Sequence, residues 1–125
     1  MFWDCTALSS AGEMVLSSIG IAKVGQYGSC FIGCTSLTSA PYFRETSLTS
    51  GGWSYFEMFK GCSKLAQISV SLTAWPSVST GCQDWVNNVS SYGTFYCPTA
   101  LGTNATIARG NNRCPTNWTV VNTDA

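Results

Sequence analysis

The chain contains no histidine. That removes the commonest general base, nucleophile activator and metal ligand. Charge is scarce as well: Asp, Glu, Lys and Arg make up 10% of the residues, against roughly 25% in ordinary globular proteins. The basic residues Lys23, Arg44, Lys60, Lys64, Arg109 and Arg113 are scattered, and the net charge is zero. A nucleic-acid partner needs a basic patch or stripe, and none is present. No window approaches the roughly 18 apolar residues of a membrane span. The stretch from Met14 to Val24 is interrupted by Ser17, Ser18, Gly20 and Lys23. Gly-x-Ser-x-Gly, Ser-x-x-Lys, the P-loop and Gly-x-Gly-x-x-Gly are all missing. The carboxylates Asp4, Glu13, Glu45, Glu57, Asp84 and Asp124 are read as standing at different stations of the chain, with no glycosidase-type pair among them. The expectation is a protein that is no enzyme and holds no cofactor or metal.

What is present is repetition. Met1-Phe-Trp-Asp-Cys-Thr-Ala-Leu8, Cys30-Phe-Ile-Gly-Cys-Thr-Ser-Leu37 and Met58-Phe-Lys-Gly-Cys-Ser-Lys-Leu65 are copies of one another. They start about 28 residues apart, a period that signals stacked repeats. Tyr27, Cys30, Phe31 and Cys34 have the i, i+3, i+4, i+7 spacing of one helix face, as do Tyr55, Met58, Phe59 and Cys62. Cys82, Trp85, Val86 and Val89 form a fourth, degenerate copy. Helical turns are therefore predicted near 27–33, 55–61 and 82–88. Phe31, Phe59, Leu37 and Leu65 are predicted core.

Each stripe is followed by a period-two segment. Ser9/Ala11, Thr38/Ala40, Ala66/Ile68 and Gly93/Phe95 point inward in this reading, and Ser10, Ser39, Gln67 and Thr94 outward. Parallel strands are predicted near 9–11, 38–40, 66–68 and 93–95, with right-handed crossovers. Leu16, Leu48 and Leu72 are packing anchors in the variable loops. Tyr42-Phe43 and Trp75-Pro76 occupy similar loop stations, where two readings stand: ligand contacts, or packing between adjacent loops. The candidate partner-binding residues are Tyr42, Phe43, Trp75, Gln67 and Tyr96.

The string Met-Phe-x-Gly-Cys-x-x-Leu, preceded by Tyr-x-x and followed by Leu-Thr-Ser-Ala-Pro, is clearest at Tyr27–Pro41 and Tyr55–Ile68. It resembles the BspA-like leucine-rich-repeat family. The ending Gly93-Thr-Phe-Tyr-Cys-Pro through Cys114-Pro-x-x-Trp-Thr-Val-Val121 looks like the terminal segment of such proteins in gut bacteria and their phages. Asp4 in place of glycine and Val89 in place of cysteine depart from the pattern. The resemblance implies a parallel-stranded solenoid and a non-catalytic role in adhesion or binding at a cell surface. The expected architecture is thus an α/β repeat, a short right-handed leucine-rich-repeat-like solenoid with a C-terminal cap. Residues 1–89 would form about three and a half coils, and 90–125 the last strand and the cap.

Seven cysteines remain to be placed. Cys5, Cys34 and Cys62 share one repeat position and are read as a buried ladder of thiols. Zinc is the rival, but only Cys30 and Cys34 are close in sequence, and both fall on the core face. Cys97 and Cys114 lie outside the repeat, each before a proline, and form a candidate disulfide that would close the cap loop. Asn88, Asn104 and Asn117 head glycosylation sequons, which carry little weight in a chain where Ser and Thr supply 31 of 125 residues.

Two functions fit this surface. One is a recognition module binding a protein or glycan at a cell surface. The alternative is a structural assembly component of a phage virion or extracellular filament, with neighbouring copies meeting through the N-terminal coil. Met1, Phe2, Cys5 and Leu8 are read as starting inside a repeat, so this end is expected to contact either upstream residues of a longer parent or a neighbouring subunit. The expected location is extracellular, at a cell surface or in a virion.

Overall fold

Apolar residues three and four apart do not wind into helices in this protein. A computed structural model describes residues 21–22, 31–42, 47–48, 55–75 and 82–124. No helix occurs among them. This corrects the expected α/β solenoid. The segments read as helical turns are chains of tight turns. Cys34 N donates to Phe31 O (3.1 Å) and Leu37 N to Cys34 O (3.1 Å). In the next repeat Met58 N donates to Tyr55 O, Cys62 N to Phe59 O and Leu65 N to Cys62 O.

Alternate backbone donors turn sideways to the following repeat. Phe31 N donates to Met58 O (3.0 Å) and Gly33 N to Lys60 O (2.9 Å). Glu57 N, Phe59 N and Gly61 N reach Gln83 O, Trp85 O and Asn87 O, each at 2.9 Å. Groups committed to a neighbour cannot also close the i to i−4 ladder of an α-helix. A left-handed residue at one station of each described repeat completes the break: Gly33 (φ 75°), Gly61 (81°) and Asn88 (64°). Glycine suits that conformation, and asparagine is among the few other residues that tolerate it. The apolar residues still face one side, because a chain of three-residue turns presents the same stations inward.

Among the described residues five short strands follow in chain order: β1 (Ile21–Ala22), β2 (Ser47–Leu48), β3 (Gln67–Ser69), β4 (Thr94–Cys97) and β5 (Thr119–Asn122). β1 pairs with β2, and β3, β4 and β5 form a separate sheet in that order; every pairing is parallel. The segment at 38–40 runs beside β3, with Ala66 N donating to Thr38 O (3.0 Å) and Ala40 N to Gln67 O (2.9 Å). The first repeat and the N-terminal end, with the strand expected near 9–11 and the thiol of Cys5, lie outside the described residues.

Ile68, Phe95 and Val120 are in register across the three strands and form the inward row. They meet Phe31, Leu37, Tyr55, Phe59, Leu65 and Trp85, all with no exposed surface. Trp85 is the hub: its ring lies 5.6 Å from Tyr55, 6.1 Å from Phe59 and 6.2 Å from Phe95. Gly93 is dictated by close approach. A Cβ there would sit 2.5 Å from Ala66 O and 2.7 Å from the Trp118 ring.

The loop from Pro98 to Asn117 closes the far end of both ladders. Asn104 Oδ1 accepts from Val120 N (2.8 Å), so the outer edge of β5 is covered, as exposed strand edges require. Asn111 O accepts from Val86 N (3.2 Å) and Asn112 Oδ1 from Asp84 N (2.9 Å), continuing the turn ladder with one backbone and one side-chain group. Asp124 accepts from Thr99 N (2.8 Å) and Thr99 Oγ1 (2.7 Å). Those bonds hold its carboxyl below the ordinary value.

Candidate binding surface

Strand alternation sends every second residue outward. Along and beyond β3, Gln67, Ser69 and Ser71 alternate with buried Ile68, Val70 and Leu72. Parallel register then sets side chains in rows about 4.8 Å apart. One row is Gln67, Thr94 and Thr119; the next is Ser69, Tyr96 and Val121. Tyr42 is 38% exposed, and its hydroxyl hydrogen-bonds to Ser71 Oγ, extending this face by one repeat. No side chain of the face is charged. It offers hydroxyl and amide groups, two phenols and the exposed Val121.

Three of the sequence-predicted contacts therefore come together: Tyr42, Gln67 and Tyr96. Phe43 lies outside the described residues. Trp75 goes elsewhere. It stacks on Phe95 (6.2 Å, 24°), meets Trp85 edge-on (6.2 Å), and is covered by the Arg113 guanidinium at 5.5 Å. Its place is in the packing, the second of the two readings for loop aromatics.

The carboxylates are not all apart, as the sequence reading had them. Glu57 and Asp84 occupy one station of successive repeats, both with left-handed backbone (φ 50° and 53°). Lys60 Nζ lies 2.9 Å from Glu57 Oε2. The Glu57 hydrogen bond and charge, helped by the charge of Asp84, hold the ammonium above its ordinary value. Aligning the fourth copy residue by residue from Trp85 against Met58 reveals this pair. Among the described residues no three His, Cys, Asp or Glu side chains converge.

Cys62, Cys82, Cys97 and Cys114 are free, buried thiols in the structure, and Cys34 is buried as well. Burial pushes Cys62, Cys82 and Cys114 up to about 12 and Cys97 up to about 11, from an ordinary 9.0. Charge on Cys97 also raises Cys114, so the two share one neighbourhood of the cap. A bridge between them is a proposal that peptide mapping of never-reduced protein tests. For the reduced chain the linkage is definite. Thiols whose folded values lie above the unfolded one contribute stability that is complete below pH 9.0 and is lost as pH rises towards 11–12. The urea midpoint should be level from neutrality to about pH 9 and fall above it. A midpoint unchanged at about pH 10.5 would contradict the burial of these thiols.

Comparison with known proteins adds no relative: no family model, curated protein or solved structure matches the chain.

Proposed function

We propose that this protein is a non-catalytic recognition module whose uncharged outer sheet face engages a protein or glycan partner at a cell surface. The observation that carries the reading is the pair of in-register rows, Gln67–Thr94–Thr119 and Ser69–Tyr96–Val121, with Tyr42 at their margin. Tyrosines among small hydroxyl side chains supply contact area with little rotamer entropy to lose, the composition of adaptable binding faces. The resemblance to BspA-like repeats supports the same role and an extracellular, cell-surface or virion location. The missing histidine and the engagement of Glu57 by Lys60 argue against acid–base chemistry.

The test is binding of labelled protein to a printed glycan array and to intact cells, with the native chain against Gln67→Ala/Tyr96→Ala. Truncating a central tyrosine should weaken binding by about tenfold or more while the melting temperature holds, since both side chains reach solvent. Native-strength binding by the double variant, or no binding of the native chain to either surface, would end this reading.

A further inference from the structure

The far end of the turn ladder meets the closing loop in an open cleft of about 240 Å³. Asn88, Asn111 and Asn117 line it, together with the hydroxyls of Ser91 and Thr116. Val86 and Pro115 form its buried floor, and half-buried Val89 supplies apolar surface. Among the described residues these three amides and two hydroxyls make no side-chain hydrogen bond to protein. Each amide offers both donors and acceptors. The cleft contains no charged side chain.

One feature marks it as more than a gap in the surface. Asn88 stands at the left-handed station that Gly33 and Gly61 hold in the preceding repeats. Only at this end does that station carry an amide, and Asn117 across the cleft is left-handed too (φ 70°). Glycine would serve the backbone as well at either position.

We infer that this cleft is a binding site for a neutral, hydroxyl-bearing ring: one residue of a saccharide. Each sugar hydroxyl both donates and accepts, which matches unpaired amides. Its C–H face matches Val89, half-buried on the wall of the cleft. An ion finds no counter-charge here, and the volume falls below the roughly 300–1,000 Å³ of sites for drug-sized molecules. The site is separate from the outer sheet face and goes beyond the role proposed for it.

The experiment is an amide-resolved NMR titration of the whole chain with the methyl glycosides of glucose, galactose and N-acetylglucosamine, and with inorganic phosphate as the charged control. At least one glycoside should shift the amides of Asn88, Asn111 and Asn117 with Kd on the order of 1–10 mM. Phosphate should leave them unmoved. Asn88→Gly/Asn117→Gly removes two amides while keeping the backbone free to adopt positive φ, and should weaken binding by about tenfold with its melting temperature retained. Gln67→Ala/Tyr96→Ala should bind the glycoside as the native chain does, so failure at the outer face and failure at the cleft are distinguishable. The inference is overturned if no glycoside shifts these amides at ~50 mM, if phosphate shifts them equally, or if the double glycine variant binds unchanged.

Discussion

Phe59→Ala is expected to cost about 3–5 kcal/mol of folding stability. Phe59 has no exposed surface, and its ring stacks on Phe31 at 5.6 Å and 14°. On its other side Trp85 lies at 6.1 Å. Truncation removes the middle ring of that column. The residue's backbone also joins two repeats, with its amide on Trp85 O and its carbonyl accepting from Cys62 N, so the walls of the new cavity cannot close freely. A domain of this size has only about 5–15 kcal/mol in total. The variant should show a broadened urea transition at a much lower midpoint, or none. Phe59→Leu keeps most of the volume and should lose clearly less. A soluble Phe59→Ala with the native midpoint would show that this column does not carry the fold.

That prediction rests on residues the sequence displays openly. Phe31, Leu37, Phe59 and Leu65 announce themselves by period and are fully buried. Ala66/Ile68 and Gly93/Phe95 likewise mark the places where β3 and β4 form, one residue further on. The class of the intervening segment is not legible in the same way. An i, i+3, i+4, i+7 stripe fits a helix and a chain of three-residue turns equally, and the difference lies in where the backbone amides go. The signal for turns is the station occupied by Gly33, Gly61 and Asn88, residues that share tolerance of positive φ and little else. β1 and β2 pair within loops that have no common pattern. The closing loop is harder still, because Asn104 and Asn112 act on amides far off in sequence, at Val120 and Asp84, and Arg109 acts through backbone carbonyls that carry no sequence signal. Of the candidate contacts, Gln67 was legible from strand alternation. Trp75 was not, because a tryptophan beside a proline looks the same whether it meets a ligand or Phe95. The cleft beside Asn88 involves two left-handed asparagines brought together only by folding.

Arg109→Ala should destabilise the chain by about 3 kcal/mol, through the closing loop alone. The guanidinium donates from Nη1 to Trp118 O (2.7 Å) and Pro115 O (3.3 Å), and from Nη2 to Asn104 O (3.0 Å) and Asn104 Oδ1 (3.2 Å). Asn104 Oδ1 is the same atom that accepts from Val120 N at the edge of β5. One planar fork thus fixes the group that covers the last strand. Among the described residues no carboxylate pairs with it; its partners are carbonyl dipoles. Hydrogen bonds from a charged donor contribute roughly 1.5–3 kcal/mol each and do not add fully, which sets the figure. Arg109→Lys keeps the charge but presents one compact ammonium, which cannot span Asn104 and Trp118 together, and should recover less than half of the loss. The mutational loss should also barely change between about 0.05 and 0.5 M salt, whereas an exposed ion pair would be screened over that range. Hydrogen exchange supplies the local readout: the Val120 amide should lose protection in Arg109→Ala before the amides of β3 do. Full rescue by lysine, or a loss that vanishes in salt, would mean that Arg109 acts as a surface charge, and the covered edge of β5 would then need another cause.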